Sequence, residues 1–419
     1  MSTTLSAAPS RRLSRVRDYR LLWSSYAVSA VGSEVTVLAV PLAAAVLLGA
    51  SPLQMGLLTA AATAPYVGFA LLAGAWIDRL PRRRPLLVAA DLTAAAALLT
   101  VPAAHLAGAL TVTQLVVVEL VVGFARVVFR PAFQAHLPDV VRREELTAAS
   151  GHLRAAESAA VLGGPGLGGA LVQLFTAPVA VLVDAVSFLV SALLVSRLRA
   201  PERAGDEPAP RRRLRTEVAE GLGYMWRYRR MRAIAGAAAN LNFFGLMVMA
   251  LLVVYLTRTM GFTPLMVAAV TVAGGAGALT GAVLASRVTG RLGQGRALVL
   301  ATAVFSAGLF AFPLADGPRW LVLVVLVANE LVLGFAIMVF DVTSNAYVLA
   351  AVPRALHGRV TASLGTVTQG VKPLGALAGG AVATAVGLRP ALWVAALGAT
   401  TTVLWMWFSP FRAEPPRTV

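Results

Sequence analysis

Ionisable side chains inside long apolar segments are the residues of this 419-residue sequence best suited to chemistry. Glu34, Glu119 and Glu330 each lie near the middle of such a segment, and Asp341 lies further along the segment of Glu330. An ionised group in hydrocarbon costs at least about 2.5–3.5 kcal/mol, so an acid there marks a functional site by default. A carboxyl group in that setting can bind and release a proton when its surroundings alternate between dry and wet. These four acids are the candidates for proton exchange.

Glu34 is the first choice among them. It is central in its segment, and no basic residue lies at helical spacing from it. The alternative is a hydrogen-bonded acid in a packed helix interface, and the sequence leaves both open. Glu119 differs, because Arg126 and Arg130 share its helix face.

Lys372, the only lysine, also falls inside an apolar segment and could pair with Asp341 or Glu330. We expect such charges to surround a cavity midway across the molecule. The expected cavity residues are Glu34, Glu119, Arg126, Asn242, Phe243, Glu330 and Lys372.

The sequence repeats itself after half its length. Residues 119–129, ELVVGFARVVF, return as ELVLGFAIMVF at 330–340, with eight of the eleven positions identical. A pair of parallel membrane halves is the ground plan of many secondary transporters. Because Glu119 and Glu330 are duplicated, an inherited structural role is as good an explanation for them as proton exchange.

Apolar segments dominate the composition. Hydrophobic residues make up 58% of the chain and charged residues 13%, whereas soluble domains contain about 25% charged residues. An apolar segment of about 20 residues can cross a bilayer, and we predict twelve such spans. They lie near residues 21–47, 54–77, 85–108, 112–133, 147–173, 178–198, 233–256, 263–286, 296–315, 319–343, 361–386 and 390–410.

Arginines indicate the topology of these spans. They cluster in alternate gaps, so membrane topology explains the net charge of +17 better than nucleic-acid binding does. By the positive-inside rule both termini are predicted to be cytoplasmic. The first span does not have the pattern of a cleaved signal peptide, and we expect it to be retained. The chain has no cysteine, which excludes disulfides and thiolate metal sites.

Residues 199–232 separate the halves. The predicted organisation is a six-helix bundle at 1–198, a cytoplasmic linker at 199–232, and a second six-helix bundle at 233–419. The linker begins with a charged, Pro-rich stretch that cannot bury a core. From Leu214 onwards apolar residues recur at helical spacing, which predicts a helix lying on the membrane surface. A surface anchor and a regulatory docking site both remain open for this helix.

The loop after the second span carries a family resemblance. Residues 74–84, GAWIDRLPRRR, resemble the signature loop of the major facilitator superfamily, with Pro81 in place of the family's glycine. Residues 130–139 are similar to the drug-exporter branch that includes macrolide and enterobactin efflux proteins. The resemblance covers essentially the whole chain.

The fifth span resembles the family's antiporter motif. The matching positions are Gly151, Gly164, Pro165, Gly168 and Gly169. One glycine of the motif is replaced by Ala160, which could alter close helix packing.

The resemblance implies an all-α integral membrane fold, with twelve transmembrane helices in two pseudo-symmetric six-helix bundles. It also implies a gating loop in which Asp78 pairs with Arg130 or with the start of the eleventh span. The gating residues would be Gly74, Asp78, Arg79, Arg82, Arg83 and Arg130. For Arg82, Arg83 and Arg84 a purely topological role is an equal alternative.

These features lead to one functional expectation and two alternatives. We expect a proton-coupled secondary transporter of the cell membrane that exports amphipathic small molecules, such as drugs, secondary metabolites or siderophores, by alternating access. Uptake of a metabolite by the same fold, and a membrane sensor or scaffold without transport, are the alternatives. We expect a monomer that is not an enzyme and that uses no cofactor or metal. Its expected partners are the substrate, protons and the lipid bilayer, with no nucleic acid.

Overall fold

The computed structural model describes residues 13–67, 69, 76–77, 80, 82–201, 214–353 and 356–413. Throughout these residues the chain forms helices joined by short turns, and they contain no strand. The helices of twelve residues or more fall into two consecutive sets of six, with one amphipathic helix between them. A four-residue helix at Ala311–Leu314 lies within the second set.

The first set packs into one bundle. Its helices are α1 (Arg17–Leu42), α2 (Pro52–Thr63), α3 (Arg84–Leu106), α4 (Val112–Val140), α5 (Leu146–Leu174) and α6 (Ala177–Ser196). A π-helical turn at Ala43–Leu47 extends α1, and a 3₁₀ turn at Ala64–Tyr66 extends α2.

The second set follows the amphipathic helix α7 (Leu214–Arg227). Its helices are α8 (Arg229–Val254), α9 (Pro264–Leu292), α10 (Gln294–Leu309), α11 (Arg319–Ala351), α12 (His357–Val386) and α13 (Leu388–Trp407). A π-helical turn at Tyr255–Thr259 extends α8, as the corresponding turn extends α1. Within the described part of the chain α7 lies in the predicted linker, and the exact domain boundaries stay a prediction.

Nine helices of the described residues are long and apolar enough to cross a membrane: α1, α3, α4, α6, α8, α9, α10, α11 and α13. Helices α5 and α12 have the length, at 29 and 30 residues, but glycines and polar residues lower their hydropathy. Both pack between neighbouring helices, where small residues allow backbones to approach closely. The span predicted at 54–77 begins with α2, and most of its residues after Val67 lie outside the described part.

The repeat is visible in how equivalent helices begin. The Ser51 side chain accepts a hydrogen bond from the Gln54 backbone N–H at 3.3 Å, and Pro52 follows as the first helical residue of α2. Thr263 and Pro264 start α9 in the same way. A hydroxyl cap followed by proline satisfies one free N–H and removes another, which explains why this pair recurs.

The two bundles meet through crossed helix pairs, α2 with α12 and α5 with α9. A methyl group on Gly56 would lie 2.6 Å from the Ala376 carbonyl oxygen, so these backbones need a glycine. At the same end of the molecule the Arg258 guanidinium donates to the Ala45 carbonyl at 2.8 Å. This end lies opposite the arginine-rich loops, and we refer to it as the outer end. At the arginine-rich end, open space surrounds Gly151 and Gly365.

Candidate functional site

A cavity with a volume of about 520 Å³ lies inside the first bundle. Its walls come from α1, α3, α4, α5 and α6, and they reach the arginine-rich ends of α4 and α5 at Leu137 and Ser150. Five aromatic residues line it: Tyr26, Tyr66, Phe129, Phe133 and Phe188. Six charged residues line it as well: Glu34, Asp91, Arg126, Arg130, Arg154 and Glu157. The cavity therefore combines an apolar surface with equal numbers of acids and arginines.

Arg126 is the centre of the buried charges. It interacts electrostatically with Glu34, Glu119 and Asp184, which come from three different helices. The Asp184 side chain is fully buried and Glu119 is 7% exposed. Within the described part of the chain, Nε and Nη2 of Arg126 have no hydrogen-bond partner. Buried hydrogen-bond donors are normally paired with acceptors. These two nitrogens can therefore donate hydrogen bonds to a ligand that enters the cavity.

The glycines of the fifth span place Glu34. A methyl group on Gly164 would overlap the Glu34 Cβ, and one on Gly168 would lie 3.0 Å from the Val35 carbonyl oxygen. On the other side of α1, a methyl group on Gly32 would lie 2.6 Å from Asp184 Oδ1. Glu34 is therefore held at a tight crossing of α1 with α5 and α6, next to the cavity.

The remaining motif glycines have other surroundings. A methyl group on Gly169 would lie 2.9 Å from the Pro264 carbonyl oxygen, so this glycine belongs to the contact between the bundles. Pro165 is buried in α5. Gly151 faces open space and has no such packing requirement in this conformation.

Glu157 joins two arginines at the mouth of the cavity. Its carboxylate lies 3.6 Å from Arg130 Nη2 and 3.3 Å from Arg154 Nη1. The sequence offered Arg130 or the start of the eleventh span as the partner of Asp78, which lies outside the described residues, as do Gly74 and Arg79. Neither Glu157 nor Asp91 was singled out from the sequence. The signal was available, because both are acids within predicted spans.

Of the gating-loop arginines, Arg83 makes defined contacts. Its Nη1 donates to the Ala135 carbonyl at 3.1 Å and lies 3.7 Å from Asp139 Oδ2. These contacts hold the start of α3 to α4 within one bundle. Arg82 is exposed, and Arg84 is the first residue of α3.

The candidates of the second half do not line this cavity. Glu330 packs on α9, where a methyl group on Gly274 would lie 2.7 Å from Glu330 Oε2. Lys372 interacts with Asp341, one of the two partners that the sequence left open. Asn242 donates its side-chain amide to the Ala238 carbonyl at 2.8 Å, one turn back in α8. Phe243 lines a separate cavity of about 380 Å³ between α7, α8, α12 and α13.

No metal site accompanies these acids in the part of the chain that the structure describes, because no three His, Cys, Asp or Glu side chains there cluster suitably. The arrangement suits proton binding and the binding of a mixed aromatic and charged molecule.

Comparison with known proteins gives the same fold and places the sequence among transporters. The chain is 30% identical over 355 residues to the multidrug efflux pump Tap of Mycolicibacterium fortuitum, a match that covers 81% of this chain and 83% of that protein. Crystal structures with the same fold include the nucleoside transporter NupG, with a TM-score of 0.75, 14% identity, and coverage of 96% and 99% of the two chains. A bacterial homologue of the iron transporter ferroportin in an inward-facing state also has a TM-score of 0.75, with 16% identity and coverage of 94% and 98%.

These matches confirm the all-α fold with two pseudo-symmetric six-helix bundles. The proteins matched are transporters, in agreement with the expectation that this chain is not an enzyme. The family model described as Major Facilitator Superfamily matches residues 22–371. The chain therefore belongs to the Major Facilitator Superfamily.

Proposed function

We propose that this protein is a proton-coupled exporter that moves amphipathic small molecules by alternating access. The observation that carries the proposal is the cavity in the first bundle, where aromatic walls surround Glu34 and Arg126. The similarity to multidrug efflux pumps over four-fifths of the chain supports export.

The cavity suits a drug-sized molecule. Its volume of about 520 Å³ lies within the range of about 300–1,000 Å³ that is common for ligand sites. Phe129, Phe133 and Phe188 offer apolar contact for rings or alkyl groups. A cationic substrate can pair with Glu34, Asp91 or Glu157, while an acceptor group can bind Arg126. The expected substrates are therefore amphipathic and carry at least one charged or strongly polar group.

Glu34 carries the coupled proton in this mechanism. When ionised, its carboxylate attracts Arg126, and that attraction helps to hold α1 against α4. Protonation removes the attraction and leaves Arg126 to the two more deeply buried acids, Glu119 and Asp184. A substrate cation that pairs with Glu34 competes with the proton for the same carboxylate. This competition allows the protein to exchange a proton for a substrate cation.

Alternating access uses the contacts between the bundles. By the positive-inside rule the arginine-rich end is cytoplasmic, so this conformation is open to the cytoplasm. The outer end is held by the α2–α12 and α5–α9 contacts and by Arg258. Rocking of the bundles would separate these contacts and close the cytoplasmic end. The loop residues Asp78, Arg79 and Arg82 are the proposed gate there.

Transport by the purified full-length chain in proteoliposomes tests the proposal. An inward proton gradient should drive export of a dye-like cation, and addition of the substrate to detergent-solubilised protein should release protons. Glu34→Gln should abolish both signals, while folding is checked by its thermal unfolding midpoint. Wild-type coupling in Glu34→Gln would overturn the assignment.

Uptake is the second candidate, because NupG, a nucleoside transporter, has the same fold. The two directions of transport are separated by measuring drug susceptibility and compound accumulation in cells that express the protein. Lower accumulation of the tested compounds supports export, whereas higher accumulation supports uptake. No change in the flux of any compound would favour a sensor or scaffold.

A further inference from the structure

Two cavities meet the surface of the second bundle at its arginine-rich end. One, of about 420 Å³, lies between the start of α8 and the end of α13. The other, of about 380 Å³, lies beneath α7. Arg232 and Trp405 belong to the walls of both. We call the combined surface the α8–α13 groove.

The groove carries uncompensated positive charge. Arg229 and Arg232 are one helical turn apart on α8 and both line the first cavity. Within the described chain neither forms an ion pair, and Arg232 makes only a long hydrogen bond of 3.5 Å to the Trp226 carbonyl. The acid on the neighbouring helix, Glu220, is engaged by Arg359. An anion can therefore bind without displacing a carboxylate.

The rest of the groove is apolar and aromatic. Trp405 is 40% exposed and Phe408 76% exposed, although both lie at the end of a helix that is apolar enough to span the membrane. Trp226, on α7, is 61% exposed. Exposed aromatic rings at the end of a span lie at the level of the lipid headgroups. The groove thus offers two guanidinium groups beside an apolar surface at the membrane boundary.

We propose that the α8–α13 groove binds an anionic phospholipid of the cytoplasmic leaflet, with its phosphate on Arg229 and Arg232 and an acyl chain along Trp405 and Phe408. Basic pockets between helices at this level suit acidic headgroups. The choice of a lipid over a soluble anion follows from the exposed apolar residues, since a free phosphate would leave them without a partner.

The bound lipid would also fix α7. This helix is held to the second bundle by the ion pair between Glu220 and Arg359 and by the Tyr224 hydroxyl, which donates to the Ala351 carbonyl at 3.3 Å. Burial raises the pKa of Tyr224, so this hydroxyl stays protonated as a donor. A lipid in contact with Trp226 and Arg232 would connect α7 to α8 and α13 as well. The linker helix would then be anchored on both sides.

Native mass spectrometry of the purified full-length protein tests the site. The probes are phosphatidylglycerol, phosphatidylcholine with the same acyl chains, and inorganic phosphate. We expect retention of one phosphatidylglycerol under conditions that remove phosphatidylcholine, together with a higher thermal unfolding midpoint. The double variant Arg229→Gln/Arg232→Gln should bind phosphatidylglycerol about tenfold more weakly or worse, and Arg229→Lys/Arg232→Lys should retain most of the binding.

The matched control is Arg287→Gln/Arg291→Gln, which removes two exposed arginines at the same end of α9. It should bind phosphatidylglycerol as the wild type does. Equal losses in both double variants would mean a diffuse charge effect and would overturn the proposal. So would equal binding of the two lipids, or equal stabilisation by inorganic phosphate. These readouts need no transport, so their failure is distinct from a failure of the proposed export.

Discussion

The two copies of the repeated glutamate segment share eight of eleven residues, yet Glu119 and Glu330 lie in different surroundings. Glu119 belongs to a group of acids around Arg126, beside a cavity. Glu330 packs against the glycine face of α9, and Ile337 occupies the position equivalent to Arg126. The equivalent helices therefore differ in environment: α4 contributes to a group of buried charges, whereas α11 packs closely against α9. The repeat therefore keeps the apolar helix in both halves, whereas Arg126, with the acids grouped around it, is found in the first half only.

The largest expected effect comes from replacing one acid of each half, Glu34 or Glu330, by glutamine. Glu34→Gln should abolish proton-driven transport, because a glutamine amide cannot bind and release the coupled proton. Glu330→Gln should leave most transport intact, since its carboxyl packs on α9. Substrate flux under a defined proton gradient measures both. Equal losses in the two variants would break the distinction between the halves.

The second prediction concerns the glycines that position Glu34. Gly164→Ala would force α5 away from Glu34 and should lower the free energy of unfolding by about 1–3 kcal/mol, as overpacking does. Gly151→Ala, in the same motif but facing open space, should be neutral or slightly stabilising. Thermal and chemical unfolding of the two variants gives the comparison. A stable Gly164→Ala protein with normal coupling would contradict the proposed packing of α1 on α5.

A smaller effect is expected at the outer end, where a single-copy charge belongs to the second half. Arg258 stands opposite Val46 in the repeat and donates to Ala45 of the first bundle. Arg258→Gln removes a charge-assisted hydrogen bond, which is worth about 1.5 kcal/mol or more. The balance should therefore shift about tenfold towards the outward-open state.

Spin labels at Leu106 and Leu314, exposed residues of opposite bundles, would report this shift as a longer distance. The chain has no cysteine, so introduced labelling sites are unique. Arg319→Gln is the control, because Arg319 lies against Gly261 within its own half. An unchanged distance distribution in Arg258→Gln would remove Arg258 from the outer contact.

The smallest effect is expected for the charged pair of the second half. Lys372→Gln should reduce transport by less than about fivefold, because the electrostatic interaction of a partly exposed pair contributes about 1 kcal/mol at most. Asp341→Asn should behave in the same way, and the double variant should be no worse than either alone. A loss of transport comparable to that of Glu34→Gln would mean that charged residues of both halves take part in proton coupling.

Much of the fold could be predicted from the sequence because its signals are local or repeated. The length of each apolar segment identifies it as a membrane span. The duplicated segment implies two equivalent bundles. Helices α5 and α12 are less apolar than their length suggests, because glycines and alanines pack against other helices and polar residues of α5 line the cavity. The interaction of Lys372 with Asp341 was one of two predicted pairings.

The cavity itself could be predicted only in part. Glu34 and Arg126 were expected there and line it, but Phe243 lines another cavity and Asn242 bonds within its own helix. Asp91 and Glu157 were missed, and Asp184 had no assigned role. Spacing tells which residues share a helix face, but the neighbour that each face meets depends on how the helix is rotated in the bundle.

The class of the protein follows from its amino-acid sequence alone, which contains a duplicated set of apolar segments flanked by arginines, with acids inside them. These properties depend on composition, length and order, which need no knowledge of packing. The acids that surround Arg126, and the contact of Gly164 with Glu34, depend instead on how the helices pack in three dimensions. Contacts between α1, α4, α5 and α6 join residues more than 150 positions apart, as between Gly32 and Asp184. Their geometry follows from close packing, because a tight crossing such as that at Gly164 allows one relative position of the two helices.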